Sequence, residues 1–187
     1  MRFRGTSESS ERPFGDRGMD LEKQLRDRKR AIIRRWFDLI METYPEDSRR
    51  FLKKEKDLFS NPVGQTVRRE LEDLFDGMIS GGDQEKIHGC LENIIRIRAV
   101  QDMKPSEAVG FVLLLKRLVR QEGGGASESL AEFDDRIDQL ALTAFDIYSK
   151  CRNKIYQLRV NEVQNQVGRL LKRANLVYEI PDEKADL

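Results

Sequence analysis

From Leu21 to Ile40 the apolar residues fall at Leu21, Leu25, Ile32, Ile33, Trp36, Phe37 and Ile40, with mostly charged residues between them. This spacing is one stripe of an amphipathic helix, running from about Asp20 as N-cap to Tyr44, just before Pro45. One short helical turn is expected around Phe51 and Leu52. Asn61-Pro62 opens a second helix, with a capping side chain followed by proline at the first position. Val63, Val67, Leu71, Leu74, Phe75 and Met78 line its inner face, and Gly81-Gly82 ends it. Asp83 caps a third helix that runs to about Gln101. Pro105 begins a fourth, apolar nearly all round from Ala108 through Phe111, Leu114, Leu115 and Val119, the profile of a helix at the centre of a bundle. Gly123-Gly124-Gly125 stops it.

From Ser127 to Val177 neither proline nor glycine intervenes except Gly168. A continuous helix of that length measures roughly 75 Å, longer than the four-helix body it packs against. Part of it must protrude, fold back or pair with another chain. Phe133, Ile137, Leu140, Ala144, Ile147 and Cys151 keep alternating three- and four-residue spacing. Tyr156, Val160, Val163, Val167 and Leu170 keep it again in a shifted register, continued by Ala174 and Val177. The first series reads as packing on the domain, the second as a short coiled-coil or docking helix. Its seam is thin, with Asn161, Gln164, Asn165 and Gln166 nearby, so pairing should be weak. A hairpin back onto the bundle is the alternative.

The fold expected is therefore all-α: a helical bundle, globin-like or up-and-down, with a long C-terminal helix. Residues 1–18 read as a disordered tail, 19–155 as the helical domain, 156–178 as the protruding or coiled-coil helix, and 179–187 as a flexible tail. Helical patterning begins just after Met19, which makes Met19 a candidate native start.

Composition narrows the function. Lys and Arg total 34 against 33 Asp and Glu, a net charge of +1. That balance supplies no field for nucleic acid or an anionic membrane, and no nucleic-acid-binding motif is present. The longest apolar run, Val109 to Leu115, is too short to span a bilayer. Cys90 and Cys151 lack metal-ligand spacing and read as reduced, packed thiols of a cytoplasmic chain. No nucleotide-binding, zinc-protease or serine-hydrolase motif occurs, and no nucleophile–base constellation points to an enzyme. The single histidine, His88, favours a half-exposed packing role over haem ligation, so neither metal nor cofactor is expected.

One residue breaks the pattern. At 100° per residue, Ile87, Leu91, Ile94 and Ile95 define the buried face of the third helix, and Arg98 falls about 20° from Ile87, inside that face. A buried guanidinium is costly unless paired. It needs a carboxylate, with Glu70 or Asp134 as internal candidates, or a bound anion. Arg98, Gln101 and Glu70 are thus candidate ligand-binding residues.

The stretches IIRRWFDLIMETYPEDSRRFLKKEKDLFSNPVG (32–64) and IIRIRAVQDMKPSEAVGFVLLLKRLVR (94–120) resemble the RsbRD N-terminal domain family. Trp36, Tyr44, Pro45, Asn61, Pro62, Arg96, Arg98, Gln101, Pro105 and Phe111 carry the resemblance, which covers roughly 25–155. These are all-helical sensory domains at the front of RsbR-type co-antagonists of the RsbT kinase and of some histidine kinases. The resemblance implies a globin-like fold without haem and a sensor or scaffold role in a bacterial-type stress response. In RsbR-type proteins the analogous helix leads into a phosphorylatable STAS domain, and in the kinases into a dimerisation helix. Here PDEKADL follows instead, so the expectation is a free-standing regulatory module. It would act by contact with a protein partner, whether a kinase, STAS or other signalling component, or as a homodimer through Tyr156, Val160, Val163, Val167 and Leu170. A small-molecule carrier with an anion pocket at Arg98 is the alternative.

Overall fold

The computed structural model describes residues 15–54, 61–101, 103–122 and 127–174. Among these residues six helices and no strand occur: α1 (Gly15–Met41), α2 (Glu46–Lys54), α3 (Pro62–Ser80), α4 (Gln84–Val100), α5 (Pro105–Glu122) and α6 (Ser127–Arg173). The chain is an all-α helical bundle. It divides into two compact units, Met1–Tyr148 and Ser149–Leu187, and α6 contributes to both.

In the first unit the α1 stripe forms as its spacing requires: Leu21, Leu25, Ile32, Ile33, Trp36, Phe37 and Ile40 are all buried. Trp36 joins α1 to α5. Its indole Nε1 donates to the Phe111 carbonyl at 2.7 Å, and the two ring centroids lie 6.1 Å apart. Both rings are fully buried, so each adds a large apolar area to the core between the two helices.

Helix α3 starts where Asn61-Pro62 predicts. Asn61 Oδ1 accepts from the Gly64 N–H at 2.8 Å, satisfying one of the unpaired amides of the first turn. Its Nδ2 donates to the Leu52 carbonyl at 2.8 Å, so one buried side chain both caps α3 and fastens the end of α2. Gly81 ends α3 in the left-handed conformation, φ +60°, which glycine adopts without steric cost. Gly77 has a different purpose. A Cβ there would lie 2.7 Å from Ile87 Cγ1, so its bare backbone lets α3 and α4 approach closely.

Several boundaries differ from expectation. Helix α1 begins at Gly15, not Asp20, and runs through Gly18 despite that residue's poor helix propensity. It therefore covers 15–18, assigned above to the tail; the remainder of that tail and all of 179–187 lie outside the described residues. Helix α1 stops at Met41, and the Thr43 and Tyr44 amides donate to the Ile40 and Met41 carbonyls in a tighter closing turn. The single turn expected at Phe51 is a nine-residue helix, favoured by Glu46 and Asp47 in its first turn and by an Arg50–Glu46 ion pair at 2.6 Å. Helix α5 is not buried all round: Leu113 is 47% exposed and Leu114 half-buried.

The first part of α6 buries Phe133, Ile137, Leu140, Ala144, Ile147 and Tyr148. It is further held to α5 by Arg120–Asp134 and Lys116–Asp138 ion pairs. The Tyr148 hydroxyl donates to the Met103 carbonyl, in the connection between α4 and α5, at 2.6 Å. The second unit, as far as it is described, is the remainder of α6. Its apolar residues are open: Tyr156 is 50% exposed, Val160 49%, Val163 57%, Val167 46% and Leu170 63%.

Candidate functional site

The face of α4 predicted from the helical wheel is the buried one: Ile87, Leu91, Ile94 and Ile95 are inside, and Arg98 is inside with them at 0% exposure. A guanidinium keeps its proton in proteins, so a full positive charge sits in the core. Among the described residues no carboxylate forms an ion pair with it. Its hydrogen bonds go to neutral oxygens: Nε to the Ala108 carbonyl at 3.1 Å, and Nη2 to the Glu107 carbonyl at 2.8 Å and Thr43 Oγ1 at 3.0 Å. The guanidinium carbon also lies 5.6 Å from the Tyr44 ring centroid and 5.7 Å from that of Phe111, within cation–π range. Arg98 Nη1 and Tyr44 Oη, both buried, have no hydrogen-bond partner.

Electrostatics follow from this burial. Desolvation lowers the Arg98 pKa, opposed by the Tyr44 hydroxyl and the Glu107 charge. Desolvation raises that of Tyr44, opposed by the neighbouring guanidinium.

The internal counter-ions expected for Arg98 are engaged elsewhere. Glu70 on α3 is buried beside Cys90 and pairs with Arg69 at 2.8 Å, and Asp134 pairs with Arg120. Glu70 is therefore not brought together with Arg98. Gln101 is: it caps the C-terminus of α4, is exposed, and lies near the Tyr44 hydroxyl. Thr43, Tyr44, Gln101 and Glu107 line a cleft of about 830 Å³, walled also by Pro45, Asp47, Ser48, Phe51, Leu52, Val63 and Met103. Sequence reasoning missed Thr43 and Glu107 here. Tyr44 had a signal, since it is one of the positions carrying the family resemblance.

Two other places hold reactive side chains. His88 is exposed and lines a separate cleft of about 540 Å³ with residues of α3, α4 and α6. Glu70, Asp73 and Cys90 bring three potential ligand atoms within 4.8 Å of one another, spacing that suits a metal ion, with Arg69 already on Glu70. Burial pushes the Cys90 thiol up to about 11 from 9.0, with further upward pushes from a Glu70 hydrogen bond and the two carboxylates. A raised folded-state pKa gives stability that is full below the unfolded value and lost as pH rises through the folded one. Urea midpoints should therefore fall between pH 9.0 and about 11, and Cys90→Ala should flatten that fall. An equal slope in both proteins would remove Cys90 as the cause.

No helix among the described residues is long and apolar enough to cross a membrane. An uncharacterized protein of Archaeoglobus fulgidus is 24% identical over 149 residues, covering 78% of this chain and 91% of that one. No solved structure matches. The family described as the RsbT co-antagonist protein rsbRD N-terminal domain matches residues 30–163, a span that takes in Trp36, Tyr44, the Asn61 cap, Arg98 and the first register of α6. The chain belongs to that family of signalling sensor-type domains.

Proposed function

We propose that this protein is a non-catalytic regulatory module that signals by pairing the second register of α6 with a matching helix, first of all that of a second copy. The observation that carries this reading is the half-exposed series Tyr156, Val160, Val163, Val167 and Leu170 on a helix rooted in the bundle core. Spacings of four, three, four and three put Val160 and Val167 at one seam position and Tyr156, Val163 and Leu170 at the other. Valine at the first position suits a two-stranded seam when leucine fills the second, as Leu170 does here. Arg152 holds the Tyr156 hydroxyl at 2.8 Å, fixing the first ring of the seam. A partner signalling protein presenting the same periodicity would use the same residues.

Light scattering after size exclusion tests this. The full chain should run as a dimer at tens of micromolar, and a Val163→Asp/Val167→Asp double substitution should give a folded monomer. A mass that the double substitution leaves unchanged would sink the reading. The seam substitutions should leave the thermal transition of the first unit in place, since none of its core residues is touched.

A further inference from the structure

A buried cation without a counter-ion and two buried polar atoms without partners are separate anomalies, and here they coincide. Arg98 Nη1 and Tyr44 Oη are both unsatisfied. Each gives up its hydration on folding; the guanidinium and Gln101 lie near the Tyr44 hydroxyl, but neither atom reaches good hydrogen-bond geometry with a partner. Arg98 is bound to Thr43 Oγ1 and the Glu107 carbonyl, and both residues line the same cleft as Tyr44. At about 830 Å³ this cleft is within the size range of small-molecule sites.

Its lining narrows the occupant. A simple anion would gain Arg98 but face the carboxylates of Asp47 and Glu107, which line the same cleft. A simple cation would gain those carboxylates but approach the guanidinium of Arg98, which lies behind the Thr43 and Glu107 wall. The remaining wall is apolar, with Phe51, Leu52 and Val63 among it. A molecule bearing an ammonium and a carboxylate on one carbon, with an apolar chain, suits both the lining and the guanidinium behind it.

We propose that the cleft is a sensory site for an apolar α-amino acid bound as its zwitterion. The ligand carboxylate takes Arg98 Nη1 and Tyr44 Oη, completing the guanidinium's hydrogen bonds. The ammonium group lies toward Glu107 and Asp47, and the side chain rests on the apolar wall. Both unsatisfied atoms are covered in the unliganded protein, and Gln101, exposed and close to the Tyr44 hydroxyl, must turn aside for the carboxylate to enter. The site involves none of the α6 seam residues, so it stands or falls independently of the pairing proposed above.

Calorimetric titration of the full chain with L-leucine, L-methionine and L-phenylalanine is the direct test, followed by 4-methylpentanoate and 3-methylbutylamine, which each lack one charge of leucine. At least one of the amino acids should bind with one-to-one stoichiometry and raise the melting temperature. The two single-charge analogues should bind at least about tenfold more weakly than leucine, equivalent to about 1.4 kcal/mol. Tyr44→Phe, which removes one oxygen, should weaken amino-acid binding by about tenfold. Glu107→Gln should weaken leucine while leaving 4-methylpentanoate unchanged or tighter. The proposal is overturned if none of the three amino acids binds. It is equally overturned if 4-methylpentanoate matches leucine, or if the Glu107 substitution leaves leucine binding intact. Assembly mass is a separate readout, so failure here leaves the seam untouched.

Discussion

Replacing Trp36 with alanine should lower the free energy of unfolding by about 4 kcal/mol, enough to threaten a domain of ordinary stability. Trp36 is fully buried, faces Phe111, and donates its indole N–H to the Phe111 carbonyl. Truncation removes the largest side chain linking α1 and α5 and leaves a void that two packed helices cannot close without moving. Trp36→Phe separates the contributions: it keeps most of the apolar volume and loses the hydrogen bond, so its cost should be about 1–2 kcal/mol. The chain has one tryptophan, so fluorescence disappears with it; helical circular dichroism against urea is the appropriate measurement. A loss under about 1 kcal/mol for the alanine variant would mean that the α1–α5 contact is not a central part of the core.

Arg98 should give the second large effect, and a diagnostic contrast. Arg98→Ala should cost about 3 kcal/mol, while Arg98→Met should recover most of that loss. The alanine variant removes one of the largest fully buried side chains and the hydrogen bonds tying α4 to Thr43 and to the first turns of α5. Methionine refills the stem with flexible apolar volume, and it removes a charge that was desolvated without a carboxylate in return. The carbonyls left behind belong to α5, where helical amides can still serve them. If methionine is as destabilising as alanine, the guanidinium's hydrogen bonds outweigh its desolvation, and Arg98 is a structural strut first. Urea denaturation of the three proteins side by side decides between these.

Much of this architecture is written in local rules. The α1 stripe, the Asn61 cap and the placement of Arg98 on the inner face of α4 all follow from helical periodicity or from one residue's capping geometry. None of them requires knowledge of what lies across the core. The surroundings of Arg98 do require it. Two of its acceptors are the backbone carbonyls of Glu107 and Ala108, and backbone oxygens leave no trace in residue identity. The third is Thr43, 55 residues away and carried in by the closing turn of α1. Glu70 and Asp134, the carboxylates expected for Arg98, have nearer claimants in Arg69 and Arg120. Helix α2 has few apolar residues, so charge placement rather than periodicity supports it. The exposure of Leu113 shows the limit of composition: a helix rich in leucine still has an outer side when its neighbours cover only part of it.

The Tyr148 hydroxyl has a consequence beyond packing. Tyr148 is the last residue of the first unit, and its partner, the Met103 carbonyl, belongs to the short connection that forms one wall of the cleft beside Gln101. A displacement of that wall by an ångström stretches or breaks a 2.6 Å hydrogen bond anchored on α6. A change in the cleft that displaces Met103 therefore bears on the helix through this bond. Thermodynamic reciprocity makes the same bond a route inward: any free energy that such a change exerts on α6 is matched by an equal bias on the cleft from whatever restrains α6.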